Sequence, residues 1–263
     1  MYRNKRYYTC LLACRRAGLL FGAAALLFHA NRAIAQESAY LMPGASMWGT
    51  TGLVSMVTPE IRNDATFTLG GTYLPSGFFQ ESPNWFRRVN SGNYFLNLSA
   101  LPFLEIQYRF TLMKMDNDKW NQDRALSVKF KFLTEREGWR PSVAAGIEDV
   151  VVAKLEPKND FFTRAYVAVS KHVETGAGMW GGYVTLAYAR GNRFVPQAGI
   201  SYVPSCAKLL MLMAEYDGKG ANAGARLMLW KHVSLMAATY HFNSVTAGLS
   251  FSVSLKKQRK GSH

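Results

Sequence analysis

Beyond residue 64 the chain alternates apolar and polar side chains, and no long stretch keeps helical spacing. Between 103 and 113, Leu104, Ile106, Tyr108, Phe110 and Leu112 share one parity. Glu105, Gln107, Arg109 and Thr111 share the other. Leu126, Val128, Phe130 and Phe132 repeat the pattern against Lys129 and Lys131. So do Ala247, Leu249, Phe251, Val253 and Leu255 against Gly248, Ser250, Ser252 and Ser254. Side chains of a strand point alternately to its two faces, so this period predicts strands. Extended along the chain it predicts them over 65–74, 92–100, 103–113, 124–134, 140–148, 163–172, 180–190, 194–203, 207–216, 221–230, 232–242 and 244–255. Most have the length of a tilted membrane-crossing strand, about 9–11 residues, whereas soluble strands average about 5–6.

The connections between the early strands alternate long and short: 75–91, then Leu101-Pro102, then 114–123, 135–139, 149–162 and 173–179. Outer-membrane barrels pair long external loops with short periplasmic turns. With a periplasmic N-terminus, 75–91, 114–123 and 149–162 fall outside, and an even strand count returns the C-terminus to the periplasm. The polar parity carries full charges, which a barrel in lipid turns inward. The expected lumen-facing set is Glu105, Gln107, Arg109, Lys129, Lys131, Glu148, Lys171, Arg190, Glu215 and Arg226. Its mixed signs leave two readings, a lumen closed by pairs such as Glu105 with Arg109 and Glu148 with Lys129, or a narrow polar channel. Trp180, Tyr183, Tyr216, Trp230 and Tyr240 fall near strand ends and are candidates for aromatic girdles. The expected fold class is therefore an all-β antiparallel transmembrane barrel of about twelve strands.

Charge first suggests something else. The net charge of +14 would suit a nucleic-acid binder. Six of the 31 basic residues, however, lie in the first 35 positions, where no acidic residue occurs, and four lie in the last eight. The remaining 21 face 17 acidic residues, a net of only +4. The first 35 residues combine a basic start, the apolar run Ala17–Phe28 and Ala33-Ile34-Ala35, the order of a secretory signal peptide cut after Ala35. The expected organisation is a signal peptide over 1–35, a periplasmic N-terminal segment over 36–64, the barrel over 65–255 and a basic tail over 256–263. Cleavage leaves Cys206 as the one cysteine, so no internal disulfide is expected.

Near the end, Thr246-x-Gly248-x-x-Phe251-x-Val253 resembles the signal that the barrel-assembly machinery reads on a last strand. Further segments resemble one family. They are Gly49-Thr50-Thr51-Gly52-Leu53, Asp123-Arg124 leading into Lys129-Phe130-Lys131-Phe132, and Gly146-Ile147-Glu148-Asp149. Ala214-Glu215-Tyr216-Asp217, Asn222-Ala223-Gly224 and Gly248-Leu249-Ser250-Phe251 complete them. Their order resembles the YjbH-type exopolysaccharide-associated outer-membrane proteins. The chain departs from that family at Val57-Thr58-Pro59-Glu60, where a Pro-Thr-Ala segment is common. The resemblance implies an outer-membrane barrel that assists exopolysaccharide or capsule export or assembly. Its implied partners are outer-membrane lipid, the barrel-assembly machinery, polysaccharide and other export proteins.

Catalytic chemistry has little footing in the sequence. The histidines have no H-x-x-H context and the cysteines no C-x-x-C, so neither metal nor cofactor is expected. Tyr240-His241 near Ser244 allows an enzyme acting on lipid or polysaccharide as the alternative. A general structural or porin-like barrel is the other. Gly218-Lys219-Gly220 reads as a hairpin turn rather than a phosphate loop. The tail Lys256–Lys260 reads as a solvated segment, and no nucleic-acid partner is expected.

Overall fold

The structure is a computed structural model, and it describes residues 43–79, 87–150, 162–189, 193–229 and 232–255. The stretch expected to be a signal peptide, the expected tail over 256–263, Arg190 and Trp230 lie outside the described residues. Twelve strands follow in order: β1 (Thr66–Leu74), β2 (Ser91–Leu101), β3 (Leu104–Lys114), β4 (Trp120–Leu133), β5 (Ser142–Glu148) and β6 (Arg164–Thr175). Then come β7 (Gly178–Ala189), β8 (Arg193–Pro204), β9 (Leu210–Tyr216), β10 (Ala221–Leu229), β11 (Val233–Tyr240) and β12 (Ser244–Ser254). Each strand pairs antiparallel with its chain neighbours, and β12 pairs with β1, from Thr66 opposite Ser254 to Tyr73 opposite Ala247. Closure leaves no unpaired strand edge, which is what allows a sheet to sit in hydrocarbon.

The faces are inverted relative to a soluble barrel. On β3, Glu105, Gln107, Arg109 and Thr111 are buried inside. Outside, large apolar side chains are exposed around the wall: Leu69, Leu96, Val167, Val184, Leu186, Ile200, Leu212, Leu235 and Leu249. An apolar band of that extent has no stable place in water. Aromatic side chains fringe it at both ends: Tyr94, Trp120, Tyr188, Phe194 and Tyr216 at one rim, Phe103, Phe132 and Trp180 at the other. Two girdle candidates differ from expectation. Tyr183 and Tyr240 have the inward parity and are buried, their rings in the apolar cluster with Met47, Leu53 and Met236.

One rim carries both ends of the sheet and the tight turns Pro102-Phe103 and Gly176-Ala177; we call it the terminal rim. The opposite rim carries 75–79, with a short 3-10 turn over Ser76–Phe79, together with 87–90, 115–119, Asp149, Val150, Phe162 and Thr163. The expected long connection 114–123 shrinks to 115–119 because β4 already starts at Trp120, paired with Lys114.

The largest departure concerns the segment expected to lie in the periplasm, 36–64. From Pro43 onward it is inside the barrel. Met47, Leu53, Val54, Met56, Val57 and Ile61 are buried, at 0–2 % exposure. A solvated linker would leave these six side chains in water, and folding them into the lumen removes them from it. The segment forms no strand of its own, only isolated bridges between Ala45 and Thr51 and between Gly52 and Val57.

Candidate functional site

Irregular backbone inside a membrane barrel needs hydrogen-bond partners for its N–H and C=O groups. Here inward side chains of the strands supply them. Alternation on β2 puts Asn93, Phe95, Asn97 and Ser99 on the inner face, and on β3 it puts Glu105 and Gln107 there. Asn93 Nδ2 donates to the Met47 carbonyl at 2.8 Å and Asn97 Nδ2 to Gly49 at 3.0 Å. Gln107 Nε2 donates to Trp48 at 3.0 Å. Across the lumen, Thr185 on β7 donates to the Val57 carbonyl at 2.8 Å.

Four charged groups fix the turns of the segment. Glu105 accepts the Thr51 N–H at 3.0 Å and the Thr51 hydroxyl. Lys129 on β4 sits 3.2 Å from Glu105 and donates to the carbonyls of Thr51 and Glu60 at 3.0 and 3.1 Å. Both side chains of this pair are 1 % exposed. Glu215 on β9 accepts three successive backbone N–H groups, from Val54, Ser55 and Met56, plus the Ser55 hydroxyl and Asn222 Nδ2. Arg226 on β10 does the complementary task. Its Nη2 lies 2.9–3.0 Å from the carbonyls of Ala45, Gly52 and Leu53. A buried carboxylate satisfied in this way is tolerable; unpaired, it would cost several kcal/mol.

Pairing across the lumen does not occur as expected. Glu105 pairs with Lys129, its register partner on the next strand, rather than with Arg109. Glu148 pairs with Arg164, again a register partner, rather than with Lys129. Arg109 instead lies 3.4 Å from Asp123. Side chains directly opposite on adjacent strands are about 5 Å apart at Cβ, much nearer than the far wall. The space between the walls belongs to residues 43–64.

At the opposite rim the mouth is aromatic. The Trp48 ring meets Phe78 and Phe162, with centroids at 4.6 and 5.1 Å. The Arg109 guanidinium stacks on both Trp48 and Phe162, 4.7 and 4.9 Å from their centroids. Asp149, beside this cluster, has left-handed backbone with φ 62°. Burial pushes its carboxyl up to about 6, against the pull of Arg109. At the terminal rim, His172 bonds Glu135 through Nδ1 at 2.6 Å and the Tyr183 hydroxyl through Nε2 at 3.0 Å. Tyr183 continues to Ser201 at 2.9 Å. Burial raises the Glu135 carboxyl, but the hydrogen bonds from His172 and Lys171 outweigh it and hold it below the usual range. Glu60, from the segment, accepts from Ser170 beside this chain.

The remaining expected site residues fall as follows. Lys131 has the inward parity and is half-buried near the end of β4. Lys171 has the parity of the exposed Val167 and Val169, so it faces outward. Its Nζ reaches back to Glu135 and to the carbonyls of Arg136 and Arg140 at the rim. Alternation continues there, with Ser170 and His172 at the inward positions and Lys171 between them on the outer face. In the last strand, Thr246 and Gly248 face in and Phe251 and Val253 face out. Thr246 donates to the Tyr73 carbonyl at 2.6 Å.

His241 sits in the turn between β11 and β12, not on a strand. His241 and Phe242 both have positive φ, 51° and 54°, in a three-residue hairpin loop closed by the Asn243 N–H on the Tyr240 carbonyl. Its Nε2 bonds Asp217 at 2.9 Å, its N–H donates to Asn222, and its ring stacks on Tyr240. Burial raises the Asp217 carboxyl, yet the Gly220 and Lys219 N–H groups and His241 together hold it low. The imidazole is thus tied to a turn carboxylate rather than to Ser244. Among the described residues no group of His, Cys, Asp or Glu side chains is assembled to hold a metal.

Sequence reasoning missed Asn93, Asn97, Ser99, Thr185 and Asn222, because it followed charge. The available signal was parity: Asn93, Asn97 and Ser99 alternate with Tyr94, Leu96 and Leu98 as regularly as Glu105 does with Ile106.

A closed antiparallel barrel with an apolar exterior and a lumen filled by its own N-terminal segment is a plugged membrane β-barrel. The family model described as exopolysaccharide biosynthesis protein YbjH, the YjbH family, matches residues 44–197, more than half of the chain, and the chain belongs to that family. The match starts at the first residues of the plug and ends in β8, so it takes in the plug together with the polar wall of β2–β4. Among solved structures, the chain is similar to the Salmonella typhi outer membrane phospholipase dimer with bound calcium. Identity is 15 %, with 72 % of this chain and 89 % of that one covered and a TM-score of 0.35. The Escherichia coli outer membrane phospholipase A gives 16 % identity, 72 % and 95 % coverage and a TM-score of 0.32. No curated protein matches.

Proposed function

We propose that the chain is a non-enzymatic outer-membrane barrel that assists export or assembly of exopolysaccharide or capsule. The family match over 44–197 carries this reading, since it joins the plug and its polar wall to exopolysaccharide biosynthesis. The apolar band and its two aromatic fringes support the outer membrane as its place. Outer-membrane lipid then covers the exterior, and Thr246, Gly248, Phe251 and Val253 serve as the assembly signal on the strand that closes the barrel. With its lumen occupied, the barrel in this state is shut. Polysaccharide and other export proteins are the partners that would act on it.

Deletion of the gene tests the proposal. Surface polysaccharide should fall and return when the wild-type gene is restored. Unchanged polysaccharide with altered lipid acylation would point to an enzyme instead, and unchanged polysaccharide with altered small-solute uptake to a porin-like barrel.

A further inference from the structure

The plug matches its wall incompletely, and on β2–β3 the unmatched atoms lie side by side. Asn97 and Gln107 are register partners on β2 and β3, as are Ser99 and Glu105 beside them. Each amide uses its NH₂ on a plug carbonyl, Asn97 on Gly49 and Gln107 on Trp48. Asn97 Oδ1, Gln107 Oε1 and Ser99 Oγ are buried and bond to nothing. These residues are at most 2 % exposed. Plug carbonyls accept hydrogen bonds and cannot donate, so they satisfy only half of each amide. A hydroxyl group both donates and accepts, and would satisfy the whole.

The inner face of β2 adds the second element. Phe95 lies between Asn93 and Asn97 in the inward row and is 3 % exposed. The backbone of Gly49 lies against this ring: a Cβ on Gly49 would come within 2.4 Å of the ring carbon Cγ, and the residue has φ +94°. An aromatic platform flanked by amide side chains is the combination that receives a sugar ring, its C–H face on the aromatic ring and its hydroxyls on the amides. Gly49 occupies the platform as a bare backbone unit.

We infer that the β2–β3 wall, with Phe95, Asn97, Ser99, Glu105 and Gln107, is a binding site for a polyhydroxylated chain, and that the plug competes with that chain for it. The inference rests on the exopolysaccharide reading and adds to it the place where the polymer touches the barrel. It explains why buried acceptors persist opposite carbonyls that cannot fill them. It also makes the plug a regulator: the fraction of molecules with a displaced plug sets the apparent affinity.

The test is titration calorimetry of the full chain in detergent micelles with maltohexaose, and separately with an oligogalacturonate of similar length. Heat-modifiable gel migration checks that each variant is folded. Glu215→Gln loosens the plug at a point away from the β2–β3 wall. Competition predicts that it raises affinity for at least one oligosaccharide by about tenfold over wild type. Adding Phe95→Leu or Asn97→Leu to Glu215→Gln should remove that gain. The neutral and acidic probes separate a hydroxyl-only site from one that also reads carboxylates through Lys129. Binding that Glu215→Gln leaves unchanged, binding that survives both wall substitutions, or no binding by any folded variant overturns the inference; water alone would then account for the unpaired acceptors. Those outcomes leave the deletion phenotype untouched, so failure of this site and failure of the exopolysaccharide reading are distinguishable.

Discussion

The two sides of the lumen hold the same segment by different physics. On β2–β4 the inward residues include Asn93, Asn97, Glu105, Gln107 and Lys129, which hold the segment by hydrogen bonds to individual carbonyls and N–H groups. On β7–β11 the inward set includes Met179, Val203, Met211, Met213 and Met236, which cluster with Met47, Leu53, Val54 and Met56 of the plug. Hydrogen bonds are directional and fix position along the wall. Methionine is flexible and unbranched, so it fills space without dictating register. The polar side thus decides where the plug sits, and the methionine side accommodates it. Glu215, Arg226 and Thr185 are polar exceptions on the soft side; the first two grip the turn 52–56 and the third holds the Val57 carbonyl.

Breaking the polar side should cost most. Glu105→Ala leaves Lys129 buried beside two carbonyls without its carboxylate. The expected loss is about 3–5 kcal/mol, read as a lower denaturant midpoint in micelles. Gly49→Ala comes next. It places a methyl group against Phe95 at a positive φ, and about 1–3 kcal/mol of strain should appear as faster proteolysis within 43–64 with the barrel itself intact. A cost as small as that of a surface substitution would mean that the plug is not pressed on the β2 wall.

Smaller effects sharpen the contrast. Met211→Leu and Met236→Leu should each cost less than about 1.5 kcal/mol, because volume is conserved and no directional contact is lost. An effect as large as that of Glu105→Ala would remove the distinction between the two sides. Asp149, beside the aromatic mouth, is buried and should act through its protonation, so its effect depends on pH. Its folded-state pKa, about 6, lies above the ordinary carboxylate value, so the fold favours the protonated form. Its contribution is therefore fully present below about pH 4 and lost as pH rises through about 6. Asp149→Asn should flatten that step in the melting temperature against pH, and leave stability at pH 4 unchanged.

Much of the barrel was legible because alternation is a local property. Glu105 through Leu112 announces β3 and its two faces without reference to any other strand. Register neighbours were not legible, so Glu105 was matched with Arg109 on its own strand when Lys129 lay opposite on β4. The plug was hidden for a different reason. Parity says which side chains point inward but not what fills the space, and residues 43–64 carry no period of their own. Their one hint was composition: Met47, Leu53, Val54, Met56 and Ile61 are too apolar for a solvated linker. Lys171 misled because a charge near a strand end can sit on either face when the rim offers carbonyls to reach.

The account stands or falls on the plug. Hydrogen exchange of the full chain in lipid nanodiscs measures it directly. Amides of Thr51, Val54, Ser55 and Met56 should exchange as slowly as those of β3, since each donates to a buried acceptor on the wall or within the segment. Exchange of these amides at the rate of an unstructured peptide, with the strands fully protected, would show an empty barrel and contradict it.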